Sequence, residues 1–267
     1  MFDEIEKRRP LSDSLQELEK WHAVGDIRDA FGKKALKSVL HIQTIENMDG
    51  DEMYIVPVLL TVRRTYGPKN QEKAIFDGAG MYDIPVIEPE EYHHVEWIGF
   101  NSARTTQKRK GKGIHFFLDD YQFTRIWKYP NQYVEMLKQF DFVMSPDFST
   151  YTDFPNVLNI YNHFRKHWVA AYLQAHGVHV IPTISWSTPD SFDWCFDGEP
   201  HESTVAVSSV GCADVLDDFI AGYYKMVERL NPSTIIFYGK VPEQCKGNIV
   251  HVKSFTDKWK EATTNGW

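Results

Sequence analysis

Cysteine is scarce in this sequence: the 267 residues include only Cys195, Cys212 and Cys245. Their number is odd and no CxxC pair occurs, which argues against a zinc ribbon or a dithiol redox motif. We predict free thiols in a reducing compartment. A single nucleophilic or redox-active cysteine is the alternative.

Long hydrophobic runs are also missing. The longest, residues 55–60, is followed by Arg63 and Arg64 and falls far short of the roughly 18 apolar residues that a membrane span needs. The first residues, MFDEIEKRRPLSDS, are charged and lack the apolar segment of a secretory signal. The sequence therefore predicts a soluble cytoplasmic protein without a membrane partner.

An excess of positive charge is absent as well, because 29 Lys and Arg oppose 37 Asp and Glu to give a net charge of −8. A local basic patch can still bind phosphates in an acidic protein. One such patch, here called the basic loop, consists of Arg104, Lys108, Arg109, Lys110 and Lys112. It predicts contacts with a phosphate-rich ligand, and a solvated connector is the alternative. No G-x-x-x-x-G-K-[ST] phosphate loop occurs.

Short apolar strands alternate with helices from residue 84 onwards. The predicted strands are 84–87, 95–100, 114–118, 140–145, 178–184, 204–209, 234–239 and 248–252. Several are continuous apolar runs, typical of strands buried on both faces of a parallel sheet. Parallel strands alternating with helices predict an α/β fold, and eight strands favour a distorted (βα)8-like barrel. The first two connections are too short for full helices, so an open α/β sheet is the alternative.

Residues 1–80 depart from this alternation. They contain charged helical segments, a β-branched run at 53–62 and a turn-rich stretch. We therefore predict an N-terminal α+β elaboration over residues 1–80 and a barrel-like α/β domain over residues 81–267.

Two predicted helices have clear amphipathic signatures. The first covers 155–176 and ends at Gly177, and the second covers 213–230. Shorter helices are predicted at 131–140 and 254–262. The apolar stripe predicted for the first helix includes Leu158, Tyr161, Trp168 and Tyr172.

Polar side chains follow the predicted strands at their carboxyl ends, where parallel α/β folds bind ligands. They are Asp119, Asp120 and Gln122 after the third strand, Asp147, Ser149 and Tyr151 after the fourth, Trp186 after the fifth, Ser208 at the sixth and Tyr238 at the seventh. Carboxylates on a rigid edge suit proton transfer, attack on an anomeric carbon or binding of Mg²⁺, and the sequence leaves this choice open. Helix capping by Asp120 or Asp147 is the alternative. Trp186 is predicted to stack on a base or a sugar ring.

Two histidines, His163 and His167, lie four residues apart on the first of these helices. Such a pair can bind zinc, but the H-E-x-x-H order is absent. The sequence therefore predicts no metal site, and it assigns no cofactor. Arg165, between the two histidines, is a candidate anion-binding group.

Five segments occur in an order that resembles the DUF4417 family of bacterial, phage and plasmid proteins. They are LDDYQFTRIW, FDFVMSPDFSTYTDFP, VIPTISW, FDWCFDGEP and TIIFYG, within about residues 75–240. The resemblance implies a mobile-element or phage setting, in which a nucleotide or nucleic acid is the expected substrate. It also implies a set of candidate residues: Asp119, Asp120, Gln122, Asp147, Ser149, Tyr151, Trp186, Phe196, Gly198, Pro200, Gly211 and Tyr238.

Two functions are consistent with these features. In the first, the protein is an enzyme acting on a nucleotide or nucleic acid, with Asp147 as nucleophile or base and Asp119 or Asp120 as its partner. A transglycosylase resembling the tRNA-guanine class fits a barrel with an aspartate nucleophile, although the cysteine-rich zinc site of that class is absent. In the second, the protein is a non-catalytic binder of nucleic acid or protein. The oligomeric state is left open.

Overall fold

The computed structural model describes residues 43–46, 52–55, 69–70 and 73–257. The chain divides into two compact units, 1–67 and 68–267. In the first unit, β1 (Gln43–Glu46) pairs with β2 (Glu52–Ile55) in the antiparallel sense. The helical segments predicted before residue 41 lie outside the described residues, as does the end of the helix predicted at 254–262.

The second unit is built on parallel strands. Its described strands are β3 (Gly78–Ala79), β4 (Ile84–Pro85), β5 (Glu96–Gly99), β6 (Lys112–His115), β7 (Phe142–Met144), β8 (Val180–Ile181), β9 (Thr204–Ser208), β10 (Thr234–Tyr238) and β11 (Ile249–Val252). Strands β5, β6, β7 and β8 form one parallel sheet, and β9, β10 and β11 form another with β10 in the centre. An isolated parallel bridge between Thr183 and Ala206 connects the two sheets.

The sheet order contradicts the predicted eight-stranded barrel. Strand β4, at the first predicted position, pairs with β3 in a separate antiparallel hairpin. The outer strands β5 and β11 do not pair with each other in the described part of the chain, so the sheets stay open. The fold is therefore mixed α/β with open parallel sheets, as in the alternative prediction.

Only two of the described helices are long. The helices are α1 (Arg125–Lys128), α2 (Asn131–Leu137), α3 (Asn156–Ala175) and α4 (Leu216–Leu230). Helix α3 connects β7 to β8 and α4 connects β9 to β10, whereas the connection from β10 to β11 contains no described helix. Among the described residues, no helix is long and apolar enough to cross a membrane.

The predicted apolar stripe is correct for only one half of α3. Residues 168–173 are buried, whereas Leu158 is 46 % exposed and Tyr161 is 38 % exposed. The part of α3 before Trp168 instead buries polar residues such as Asn159 and Lys166. Burial of polar groups is costly unless each finds a partner, so this part of α3 indicates a specific polar network.

Helix α4 follows its predicted pattern more closely. Phe219, Tyr223, Met226 and Leu230 are buried at helical spacing in a core with β9 and β10. The helix ends at Asn231, which has the left-handed conformation typical of a helix end. This end agrees with the sequence prediction.

Candidate functional site

The loop between β7 and α3 is held by hydrogen bonds from two other elements. Asp120, after β6, accepts hydrogen bonds at Oδ1 from the Ser149 main-chain N–H (3.2 Å) and hydroxyl (2.8 Å). From α3, the Asn162 amide donates to the Ser149 carbonyl, and Asn159 bonds both the N–H and the carbonyl of Tyr151. The loop that carries Asp147 is thus fixed at the carboxyl end of the parallel sheet.

Asp147 is the carboxyl group with the largest upward pKa shift among the described residues. Burial raises its pKa, the positive charge of Lys166 opposes this, and the negative charge of Asp120 raises it further, to about 7. Its side chain is only partly exposed and makes no hydrogen bond to another described residue. Carboxyl groups with a pKa near neutrality can give and take protons under physiological conditions.

Arg165 lies beside this loop on α3. Its guanidinium stacks on the Phe148 ring at 3.9 Å from the centroid and donates a hydrogen bond to the Asn162 side chain. Burial lowers the pKa of Arg165, and the charge of Asp120 partly restores it. The guanidinium therefore supplies positive charge near the Asp120 carboxylate.

Behind the loop lies a fully buried polar network. The Lys166 ammonium donates to the Thr183 carbonyl (2.7 Å) and to Glu199 Oε1 (2.8 Å), and His167 Nε2 lies 2.8 Å from the same Oε1. Burial raises the pKa of Glu199, but its interactions with His167 and Lys166 outweigh this effect and lower the pKa below its ordinary value. Burial also lowers the pKa of the neighbouring His163 well below its ordinary value, so that ring is neutral.

Gly198 brings the Glu199 loop against this network. Its φ of +75° is the left-handed region, and a Cβ there would lie 2.6 Å from the Pro85 carbonyl oxygen and 2.9 Å from His167 Nδ1. We expect Gly198→Ala to reduce the free energy of unfolding by roughly 2–4 kcal/mol, because backbone strain and steric overlap add. Chemical denaturation of the full chain measures this loss.

The matched control is Gly211→Ala. Gly211 also has a positive φ, of +84°, but no atom in the described part of the chain lies within 4 Å of the place that an added methyl group would take. Only the cost of the left-handed conformation, about 1–2 kcal/mol, is expected there. Equal losses in the two variants would contradict a close packing role for Gly198.

The other predicted rim residues differ in exposure and in their contacts. Asp119 is exposed and accepts a hydrogen bond from Gln122, Tyr151 is 49 % exposed, and Ser208 Oγ accepts the Val210 N–H. Tyr238 is buried against His115, with ring centroids 4.7 Å apart, and its hydroxyl accepts the Phe255 N–H. Trp186 is partly buried and packs on Phe219 and over Gly222 of α4.

The part of the basic loop that leads into β6 lies at the other end of the strands. Lys112 begins β6 and pairs with Glu96, which begins β5, whereas Asp120 follows the carboxyl end of β6. Arg109 donates a hydrogen bond to Gln139, and Arg104 donates one to the Tyr133 hydroxyl. Lys108 and Lys110 are exposed. The lysines before β6 and the Asp147 carboxyl therefore lie at opposite ends of the parallel strands.

The three cysteines form no disulfide. Burial raises the pKa of Cys195 to about 12 and that of Cys245 to about 11. For Cys212, burial and the nearby Asp147 charge raise the pKa to about 11. Because a thiolate is the nucleophilic form, these shifts argue against a cysteine nucleophile.

Sequence reasoning missed several residues of this site. Asn159, Asn162 and Lys166 recur at three- and four-residue intervals along α3, and all three are buried. A row of polar residues on one face of a long helix was the sequence pattern that could have indicated these buried residues. Glu199 lies 33 residues after Lys166 in the chain, and no spacing rule connects the two.

Comparisons with known proteins identify the family. The chain is 34 % identical over 189 residues to the Gene 1 protein of Mycobacterium phage L5, covering 69 % of this chain and 82 % of the relative. It is 32 % identical over 200 residues to the Gene 1 protein of Mycobacterium phage D29, covering 72 % and 74 % respectively. No solved structure matches the chain.

The family comparison covers the whole described site. The family model of the domain of unknown function DUF4417 matches residues 76–256, which include Asp120, Asp147, Arg165 and Glu199. This match agrees with the resemblance that the five sequence segments indicated. The chain therefore belongs to the DUF4417 family.

Proposed function

We propose that this protein is an enzyme in which Asp147 transfers a proton to and from a nucleotide or nucleic-acid substrate. The observation that carries the proposal is the Asp147 carboxyl, whose pKa of about 7 comes from burial and the adjacent Asp120 charge. Asp120, which accepts two hydrogen bonds from Ser149, is the partner carboxyl group. Two carboxyl groups in such unlike environments suit acid and base roles.

The pKa favours proton transfer over nucleophilic attack by Asp147. A carboxyl group with a pKa of about 7 is about half protonated at neutral pH, whereas a nucleophile must be ionised. Cleavage of a glycosidic bond fits this arrangement. Asp147 gives its proton to the leaving base as the bond to the sugar breaks, and then takes a proton from the water or incoming base that attacks the sugar.

Exposed aromatic rings near the carboxylates support a planar ligand. Tyr121, next to Asp120, is 79 % exposed, and Tyr151 and Phe154 form a pair with ring centroids 4.6 Å apart. Aromatic side chains bind bases by stacking. The phage relatives favour a nucleotide or nucleic-acid substrate over a metabolite of another kind.

Release of free base tests this function. The full chain is incubated with nucleosides, nucleotides, single-stranded DNA and RNA, and the products are separated by chromatography. We expect base release that declines as the pH rises through about 7, because the proton donor is then lost. Absence of base release from every substrate between about pH 5 and 8 would overturn the proposal.

Nucleic-acid binding through the basic loop is a second candidate function. Its exposed lysines, Lys108 and Lys110, lie away from the Asp147 carboxyl, so binding there is separable from catalysis. Replacing both with Ser is expected to weaken binding and to lower the slope of log affinity against log salt by about 2, because two phosphate contacts are lost. Fluorescence polarisation with a labelled oligonucleotide at several salt concentrations measures both effects.

A control variant replaces two other exposed lysines, Lys128 and Lys240. It should bind with the salt slope of the original protein. If the two double variants share one slope, or if the original protein does not bind at low salt, the basic loop is a solvated connector. The base-release activity should not change in either double variant.

A further inference from the structure

Three potential metal ligands meet inside the second unit. His163 and His167 project from adjacent turns of α3, with ring centroids 4.3 Å apart. Glu199 joins them from the loop before β9. One ligand atom from each residue lies within 4.8 Å of the others, and all three residues are buried. Two imidazoles and a carboxylate are ligands that zinc and similar divalent metals accept.

In each histidine, one ring nitrogen lies close to a main-chain carbonyl oxygen, as is common in histidines that bind a metal through the other nitrogen. His167 Nδ1 lies 2.8 Å from the Pro85 carbonyl oxygen, and His163 Nε2 lies 3.2 Å from the Asp197 carbonyl oxygen. A ring nitrogen that donates to a main-chain carbonyl leaves a lone pair on the other nitrogen. Metal-binding histidines are commonly oriented by such bonds.

The contact between His167 and Glu199 requires a positive species. The Pro85 carbonyl can only accept a hydrogen bond, so His167 Nδ1 carries the proton and donates it in that bond. In a neutral His167 ring, Nε2 then presents a lone pair to Glu199 Oε1 at 2.8 Å. Two acceptor atoms do not approach this closely unless a proton or a cation lies between or beside them. A proton between these two atoms would account for their contact alone, whereas a metal ion would also bind the third residue, His163.

Glu199 has one oxygen left for such an ion. Its Oε1 accepts the hydrogen bond from Lys166, but its Oε2 is buried and has no hydrogen-bond partner among the described residues. Buried polar atoms are seldom left in this condition. Lys166 would then hold the carboxylate through Oε1, as hydrogen-bond donors hold the carboxylates of metal sites.

We propose that His163, His167 and Glu199 bind one divalent metal ion of the zinc class. This site is separate from the proposed proton transfer by Asp147 and does not depend on it. The H-E-x-x-H rule could not predict it, because the carboxylate comes from a loop more than 30 residues after the histidines.

Metal titration of the full chain tests the proposal. The protein is stripped with a chelator and titrated with Zn²⁺ by calorimetry, and Co²⁺ is added separately to record its visible absorption spectrum. We expect one ion per chain with a Kd of about 1 µM or tighter, together with a Co²⁺ spectrum of low coordination number. No binding by the folded protein up to about 100 µM Zn²⁺ would overturn the proposal and leave a proton between His167 and Glu199.

Substitutions locate the ion. His163→Ala and Glu199→Gln should each weaken Zn²⁺ binding at least about 100-fold, while the control His201→Ala, at an exposed histidine, should bind as the original protein does. Unchanged binding in folded His163→Ala would place the ion elsewhere and overturn the proposal. If a variant does not fold, the Co²⁺ spectrum of the original protein decides, because a spectrum of six oxygen ligands excludes this site.

Discussion

Replacing Asp147 with Asn is expected to abolish catalysis and to stabilise the protein at alkaline pH. Asn cannot give or take the proton, and general acid–base groups commonly contribute about 10²–10⁴-fold to rates. We therefore expect at least a 100-fold fall in the rate of base release. Asp119→Asn is the matched control, because Asp119 is exposed and does not act on the pKa of Asp147.

The stability effect has a definite sign. The pKa of Asp147 is about 7 in the folded protein against an ordinary value of 3.8, so folding favours the neutral carboxyl group. The stability that this group contributes is full below about pH 4 and is lost as the pH rises through about 7. Asn does not ionise, so the Asp147→Asn variant does not lose this stability as the pH rises. Because the side chain is partly exposed, we expect a gain of about 1–3 kcal/mol over the original protein near pH 8.

Urea denaturation of both proteins near pH 4 and near pH 8 measures this difference. The two free energies of unfolding should converge at the acid end. A variant that is less stable by several kcal/mol at both pH values would instead show that Asp147 is a structural residue. If Asp147 is kept for chemistry at the expense of stability, the Asn variant is more stable than the original protein near pH 8.

Replacing Trp168 with Ala is expected to lower the free energy of unfolding by about 3–5 kcal/mol. Trp168 is 2 % exposed, stacks on Tyr172 with centroids 5.0 Å apart, and meets Trp127 edge to face at 5.6 Å. Its indole N–H also donates to the Ala74 carbonyl at 3.1 Å. Truncation leaves a cavity among large rings and removes the partner of that carbonyl.

The control for this prediction is Val157→Ala on the same helix. Val157 is 69 % exposed, so its replacement should change the free energy of unfolding by less than about 0.5 kcal/mol. Urea titrations followed by far-ultraviolet circular dichroism compare the variants. A loss below about 1 kcal/mol for Trp168→Ala would contradict its place in the core.

The positions of the elements could be predicted from local sequence. Short apolar runs predicted all seven described parallel strands, and the spacing of Phe219, Tyr223 and Met226 predicted the buried face of α4. Such patterns are local, because a strand or helix repeats its buried positions every few residues. The placement of Asp120 and Asp147 after parallel strands followed from the same rule.

Closure of the sheet and the polarity of α3 could not be predicted in this way. A barrel requires the last strand to pair with the first, and that pairing depends on twist and stagger over the whole sheet. The buried face of α3 was misjudged because Leu158 and Tyr161 look like core residues in sequence. This part of α3 buries polar residues instead. Lys166 can be buried there because it donates hydrogen bonds to Glu199 and to the Thr183 carbonyl, which only the folded chain brings close to it.

The sequence by itself determined the α/β class, the family and the candidate carboxylates, because these depend on local periodicity and on short motifs. The tertiary structure alone decided which charges act on each other. It buried Asp147 and placed Lys166 and Asp120 near it, and these effects together shift the pKa of that carboxyl group. It also put the part of the basic loop that leads into β6 at the opposite end of the strands. Electrostatic effects depend on distance and burial in space, and neither quantity can be read from separation along the chain.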